Sequence, residues 1–246
     1  MGIVIKGKTI FGPNTVTDGL VLNLDAANPR SYPGSGTSWY DIIGGNNGSL
    51  INGPTFDSQN GGTILFDGVD DKMRLRDSIP LTTSCTFNQW IRPSSGSATT
   101  MASLSYYSLG TAKTTLYSQL IKLSNVWYHQ VMASGHPSGY AEEMNIYYQS
   151  DVTQYVVNNT PYNFCFTWER VNGVGSTLKT YLNGSYREQS VNTNTYWSNT
   201  ASLETAKYEI YQSFKGNIGI LSAYNRVLTA AEIQQNYNSL KGRFGL

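Results

Sequence analysis

Residues 178–184 read Leu178-Lys179-Thr180-Tyr181-Leu182-Asn183-Gly184. The first five form a short strand-like run. Asn183-Gly184 ends it with the strongest hairpin signal in the chain, because both residues tolerate a positive φ. The same grammar recurs outward from this point. Phe164–Val171 precedes it as a strand, and Tyr208–Tyr211 and Ile218–Tyr224 follow. Upstream, the strand Gly19–Asp25 ends near a turn at Asn28-Pro29, and Gly44-Gly45-Asn46-Asn47-Gly48 is a strong turn. Thr63–Phe66 stops at Asp67-Gly68, and Lys72–Arg76 alternates polar with apolar residues. Cys85–Ile91 stops at Arg92-Pro93-Ser94. Many short strands punctuated by turns predict an all-β sandwich or barrel.

One helix stands apart from this pattern. Thr229-Ala230-Ala231-Glu232 is a capping box, with Leu228 and Ile233 at the staple positions. Ile233, Tyr237 and Leu240 recur at i, i+4 and i+7 on one apolar face, and Gly242 is the expected C′ glycine. The expected fold is an all-β body with one short C-terminal amphipathic helix docked on it. Residues 18–246 form the domain. Residues 1–17 are an N-terminal arm, with a break at Phe11-Gly12-Pro13-Asn14.

Composition supports this and excludes several classes. The chain has 246 residues, 13% charged and 13% aromatic, with 24 Gly and 18 Tyr. Abundant Tyr, Thr and Gly with little charge suit strands and turns. The aromatic content and a net charge of +1 argue against disorder, and the charge argues against a nucleic-acid binder. No run of about 18 apolar residues predicts membrane insertion. Met1–Lys8 lacks the apolar core of a secretory signal, so synthesis in the cytoplasm without a secretory route is expected. Three glycosylation sequons, at Asn47, Asn158 and Asn183, then read as turn chemistry. Cys85 and Cys165 sit in apolar strands with no CxxC, and free buried thiols are expected.

Residues 97–160 are less patterned and rich in Tyr. Strands are expected near 102–107, 115–123, 126–132, 143–149 and 152–157.

Several blocks carry a resemblance. GLVLNLDAANPRSYPGSGTSWYD (Gly19–Asp41), Asn52–Phe56 with Ile64–Asp71, Phe87–Pro93, Leu178–Gly184 and Tyr224–Ile233 follow one another in order, with Gly242–Gly245 as the close. Together they resemble laminin G-like, concanavalin A-like lectin/glucanase domains, in the form carried by bacteriophage proteins, particularly marine and cyanobacterial ones. The resemblance covers roughly residues 18–93 and 163–246. It implies a concanavalin A-like β-sandwich, or jelly roll, and places Trp39, Tyr40 and Trp90 in the core. Many relatives carry an acid where this chain has Gly219, so the chain lacks at that position the acid with which such relatives would hold a calcium.

Candidate chemistry is sparse. Glycoside hydrolysis needs two carboxylates about 5–10 Å apart. Glucanases of the resembled fold carry E-x-D-x-(x)-E on one strand, and no such pattern exists here. The adjacent Glu142-Glu143 pair would point to opposite faces of a strand. His129 and His136 do not form a zinc set, and no G-x-S-x-G elbow or Walker loop occurs. No catalytic residue is assigned and no enzyme is expected. Asp67, Asp70 and Asp71 are candidate calcium ligands, with turn closure as the competing reading. Tyr106, Tyr107, Trp127, Tyr128, Tyr147, Tyr148, Tyr196 and Trp197 are candidate carbohydrate-stacking residues. In each adjacent pair, one member is expected to face the core.

Three readings remain open. The first is a phage virion structural protein, a capsid decoration or a tail or fibre component, present in multiple copies or as a homo-oligomer. It would contact other virion proteins through residues 1–17, with host-surface glycans as a further contact. The second is a stand-alone carbohydrate-binding lectin module. The third is a glycoside hydrolase of the same fold.

Overall fold

The computed structural model describes residues 3–5, 8–10, 14–77, 79, 84–94, 102–109, 114–123, 126–134, 146–151, 157–171, 175–192, 206–210 and 214–246. Its strands are β1 (Ile3–Ile5), β2 (Lys8–Ile10), β3 (Leu20–Asp25), β4 (Ser38–Trp39), β5 (Gly48–Ile51), β6 (Thr55–Asp57), β7 (Thr63–Asp67), β8 (Lys72–Leu75) and β9 (Ser84–Pro93). They continue with β10 (Ala102–Leu109), β11 (Thr114–Leu123), β12 (Val126–Ser134), β13 (Ile146–Asp151), β14 (Tyr162–Val171), β15 (Gly175–Leu182), β16 (Ser185–Asn192), β17 (Ala206–Ile210) and β18 (Lys215–Tyr224). Helix α1 (Ala230–Leu240) and a 3₁₀ turn (Lys241–Phe244) close the chain.

All the strand pairings are antiparallel. The first large sheet runs β13-β12-β11-β10-β17-β8-β5-β4. The second runs β16-β15-β14-β9-β18-β7-β6, with β3 added along β18. β1 and β2 pair only with each other, outside both sheets. The expected strand at 143–149 is β13, three residues later, and residues 152–156 lie outside the described residues.

The main core fills the space between the sheets. Trp39, Leu50, Met73 and Leu75 of the first sheet meet Leu22, Ile64, Phe66, Phe87, Phe166 and Leu178 of the second. This is the expected concanavalin A-like sandwich. The Asn183-Gly184 turn has φ of 51° and 74° and joins β15 to β16. A Cβ at Gly184 would lie 2.8 Å from Tyr237 Cβ, so the same turn forms part of the seat of α1.

The second sheet is buried on its outer face as well. Trp90, Ile220 and Phe244 form one cluster there, and Cys165, Tyr181, Tyr224, Leu228 and Ile233 another. β9 and β18 are therefore buried at nearly every position, as strands covered on both faces must be. Cys85 belongs to the inner core and Cys165 to the outer cluster, on opposite faces of the sheet. Both thiols are free and buried, and burial pushes each up from its ordinary value. Tyr40 corrects the expectation of a core residue: it is 44% exposed, because it takes the side opposite the buried Trp39.

Helix α1 begins with the expected capping box, with the Glu232 N–H donating to Thr229 Oγ1 and the Thr229 N–H to Glu232 Oε2. Arg226 clamps the same carboxylate bidentately, at 2.6 and 3.1 Å. Gly242 is not the left-handed cap. The chain tightens into a 3₁₀ turn, and Gly245 takes the positive φ instead. That extra turn carries Phe244 onto Trp90, with ring centroids 4.4 Å apart, while Tyr237 stacks at 5.7 Å. The ring lies where a side chain at 219 would go, since a Cβ there would sit 2.7 Å from Phe244 Cε1 and Cζ. β18 bulges at this point, between Ile218 and Ile220. Arg243 anchors the tail to Asp25 at 2.7 Å and to the carbonyls of Gly61 and Gly62.

The segment just before β3 is hydrogen-bonded to the body. The Val16 N–H donates to Asn236 Oδ1 at 2.7 Å, and the Tyr224 hydroxyl donates to the Val16 carbonyl at 3.0 Å. Asn236 Nδ2 donates to the Tyr224 oxygen, closing a ring of three bonds. Gln235 Nε2 holds the Asn14 carbonyl at 2.7 Å. Residues 14–17 are thus tied to the body.

Phe244→Ala is expected to cost about 3 kcal/mol, roughly 6–12 °C in Tm for a chain of this size. Gly219→Ala should destabilise the wild type but cost little more in the Phe244→Ala background, because both act on one contact. Additive losses in chemical denaturation would refute the shared contact. Glu232 provides a pH test. Arg226 and the Thr229 N–H and hydroxyl hold its carboxyl down at about 2. A lowered folded pKa means that its stabilisation is complete above about 4.5 and drains away as pH falls toward about 2. Glu232→Gln should lower stability by about 1 kcal/mol at pH 7 and flatten that part of the Tm-against-pH curve.

Candidate functional site

Among the carbohydrate candidates, strand register decides which residues share a face. Tyr106 pairs with Tyr117, Tyr117 with Met132, and Met132 with Tyr147. Directly paired residues stand on the same face of a sheet. These four positions therefore make one rung across β10, β11, β12 and β13. Tyr128, four residues from Met132 and paired with Ile121 and Asp151, belongs to the same face.

The rest of the sheet identifies that face. Tyr106 also pairs with Glu209, which pairs with the exposed Arg74, while Ile210 pairs with the fully buried Met73. By register the rung therefore lies on the Arg74 side of the sheet, opposite Met73. Tyr107, Trp127 and Tyr148 take the alternate register, on the Met73 side. Tyr196 and Trp197 lie outside the described residues, as does the Glu142-Glu143 pair.

Positions that were not singled out from sequence complete the face. Gln119 pairs with Gln130, and Gln130 with Gln149, in a second rung two residues along the strands. Ser103 extends it on β10, after a register shift at Ser103/Ser105. Tyr117 stands in the first rung. Nothing in the spacing of these residues along the chain marks them, because only hairpin register brings them into line.

The three aspartates do come together. Asp67, Asp70 and Asp71 present carboxylate oxygens within 4.8 Å of one another, the only such acidic, His or Cys group of three among the described residues. Much of that capacity already serves the turn. Asp67 Oδ1 accepts the N–H groups of Val69, Asp70 and Asp71, at 2.8, 3.3 and 3.4 Å. Asp71 Oδ2 accepts the Asp67 N–H at 3.0 Å. The N–H of Val69, with those of Asp71 and Asp70, lowers the Asp67 pKa. Burial raises that of Asp71, and the charges of Asp67 and Asp70 add to the rise. Calcium takes about six to eight oxygens, so this turn would supply half or fewer of them.

A cavity of about 80 Å³ lies between the outer face of the second sheet and α1, lined by Asn23, Asp25, Asn88, Ser222, Tyr224 and Asn236. Pockets that hold small ligands run to roughly 300–1,000 Å³. This one has room for a few waters and not for a sugar ring.

With this geometry in hand, comparison with known proteins is informative. Residues 67–234 match the laminin G family model described as the concanavalin A-like lectin/glucanases superfamily. No curated protein sequence matches the chain. Among solved structures, one similar fold is domain 4 of AbnA, a GH43 extracellular arabinanase from Geobacillus stearothermophilus, in complex with arabinotriose. It is 14% identical with a TM-score of 0.59, and the match covers 89% of this chain and 98% of that one. The botulinum neurotoxin serotype D binding domain is 12% identical with a TM-score of 0.61, over 89% of this chain and 50% of that one. Trypanosoma rangeli sialidase is 15% identical with a TM-score of 0.58, over 98% of this chain and 35% of that one. The chain thus spans half or less of the neurotoxin domain and the sialidase. At these identities the likeness is one of fold, and the fold is common to binding domains and to parts of carbohydrate-active enzymes.

Asp67→Ala should lower Tm both in chelator and in millimolar calcium, because it removes the acceptor that organises the turn. A calcium-dependent rise in Tm that disappears in Asp71→Asn would instead assign a cation to these three residues.

Proposed function

The chain belongs to the concanavalin A-like lectin/glucanases superfamily, and from that premise we propose that it is a non-catalytic glycan-binding module. The observation that carries this reading is the register that sets Tyr106, Tyr117 and, through Met132, Tyr147 in one rung across adjacent strands. Tyrosine is a rigid, amphipathic residue that gives a sugar's C–H face a stacking surface at low entropic cost. The match over almost the whole of an arabinanase domain seen with arabinotriose supports it. The lack of the paired-carboxylate strand pattern supports binding without turnover.

We also propose the setting. The resemblance to phage-borne domains, and a β1–β2 hairpin outside both large sheets, favour a multicopy virion component, a capsid decoration or a tail or fibre part. The hairpin would dock on a neighbouring virion protein, and the sandwich would face host-surface glycans. Many weak sites on one particle raise avidity by about 10²–10⁴ where geometry allows several to engage. No cofactor enters this reading; a structural calcium at Asp67, Asp70 and Asp71 is its one optional addition.

The test is retention of the full chain on immobilised polysaccharides, together with an assay for released reducing ends. Binding without release is expected, and steady release would make the chain a hydrolase. For the virion setting, deletion of residues 2–13, which spares the tethered Asn14–Val16, should abolish incorporation and leave Tm unchanged.

A further inference from the structure

The chain contains five Asn-Gly pairs, and the structure describes four of them: Asn47-Gly48, Asn52-Gly53, Asn60-Gly61 and Asn183-Gly184. Asparagine before glycine is prone to one intrinsic reaction. The glycine nitrogen attacks the side-chain carbonyl carbon, and no glycine side chain obstructs the ring that forms. The reaction needs a side chain free to swing and a backbone with room to bend. Three of the pairs are held on both counts. Asn47 Oδ1 accepts the Asp41 N–H at 2.9 Å, and Asn183 Oδ1 accepts the Asn163 N–H at 3.0 Å. Gly48 and Gly184 are buried, and a Cβ on them would lie 2.9 Å from Met73 Sδ and 2.8 Å from Tyr237 Cβ. Asn60 Nδ2 donates to Asp57 Oδ2 at 3.1 Å, and the Gly61 carbonyl accepts Arg243 Nε at 2.6 Å. A Cβ on Gly61 would lie 2.8 Å from the Arg243 carbonyl oxygen. Asn52-Gly53 differs. Both residues are exposed, and a Cβ on Gly53 would meet only Asp71 Oδ1, at 3.8 Å. Among the described residues, the Asn52 side chain has one tether, from Nδ2 to the Asp70 carbonyl at 3.0 Å. The pair links β5 of the first sheet to β6 of the second.

We propose that Asn52 is a site of spontaneous deamidation, which sets a fourth carboxylate beside Asp67, Asp70 and Asp71. Hydroxide takes the Gly53 amide proton and becomes water. The nitrogen bonds to Asn52 Cγ, the Cγ–Nδ2 bond breaks, and Nδ2 leaves as ammonia with a proton from water. The product is a five-membered succinimide. Water opens it at either carbonyl, giving aspartate or, with Cβ now in the main chain, isoaspartate. Water and hydroxide are the only reactants. Both products lose the donor to the Asp70 carbonyl and add a negative charge to a turn whose three carboxylates already lie within 4.8 Å of one another. Isoaspartate also lengthens the link between the two sheets by one backbone atom. The corner therefore weakens as the chain ages, with no enzyme or partner involved.

The test is a timed incubation of the folded full chain in warm, mildly alkaline buffer, followed by peptide mapping. Each deamidation adds about one mass unit to its peptide. The expected result is a gain at Asn52 about tenfold faster than at Asn47, Asn60 or Asn183. The Asn52 product should be a mixture of aspartate and isoaspartate, separable by chromatography. Loss of one hydrogen bond predicts that Asn52→Asp melts about 2–4 °C below the wild type. Asn52→Gln cannot close the five-membered ring, so its own Tm should hold steady through an incubation that lowers that of the wild type. A gain at Asn47, Asn60 or Asn183 ahead of Asn52 would overturn the site. Aspartate with no isoaspartate would overturn the succinimide route. An Asn52→Asp chain that melts with the wild type would overturn the weakening of the corner.

Discussion

Strand β18 is hydrogen-bonded along both edges and buried on both faces, and the rest of the molecule is arranged to make that tenable. Along one edge it pairs with β9 from Gly216 to Tyr224. Along the other it pairs with β7 over Lys215–Ile218 and then with β3 over Ile220–Tyr224. The hand-over falls at the bulge around Gly219, whose carbonyl accepts the Ala26 N–H at 2.9 Å. A backbone this deeply enclosed must satisfy each polar group internally. Its outer side chains must also be covered, and α1, the 3₁₀ turn and residues 14–20 do that.

This covering makes the two sheets unequal. The second sheet spends its outer face on the C-terminal elements, through Trp90 with Phe244 and Tyr237, and through Tyr224 with Asn236 and Val16. A small polar crevice lies between its outer face and the helix. In the first sheet, Arg74 is exposed on the side opposite the buried Met73.

Much of the frame was legible in the sequence because its signals are local. Asn183-Gly184 announces its hairpin through the φ that each residue tolerates. Thr229 and Glu232 announce α1 through a bond they make to each other. Trp90 was legible as core, though not that it is stacked on the outer face by residues more than 140 positions away. Local signals also misled. Tyr40 was grouped with Trp39 although neighbours on a strand face opposite ways. Gly242 lies where a cap is expected, but the 3₁₀ turn moved the left-handed residue to Gly245 because Phe244 has a stacking partner. Asp41 drew no attention, yet its carboxylate accepts four backbone N–H groups, from Asn23, Ile43, Gly44 and Asn46, and orders the glycine-rich turn after it.

The sequence by itself determined the class of fold, the positions of its turns, the cap of its C-terminal helix and a net charge near zero. These depend on residue type and on spacings of a few residues. Only the tertiary structure decided which tyrosines share a rung, why glycine occupies position 219 and what ties residues 14–16 to the body. A sheet face is assembled from hairpin registers, and a shift of one residue sends every side chain to the other face. The close approach at Gly219 comes from Phe244, and the clasp on Val16 from Asn236, each far along the chain. Such contacts are set by how the layers pack, and they leave no mark in local spacing.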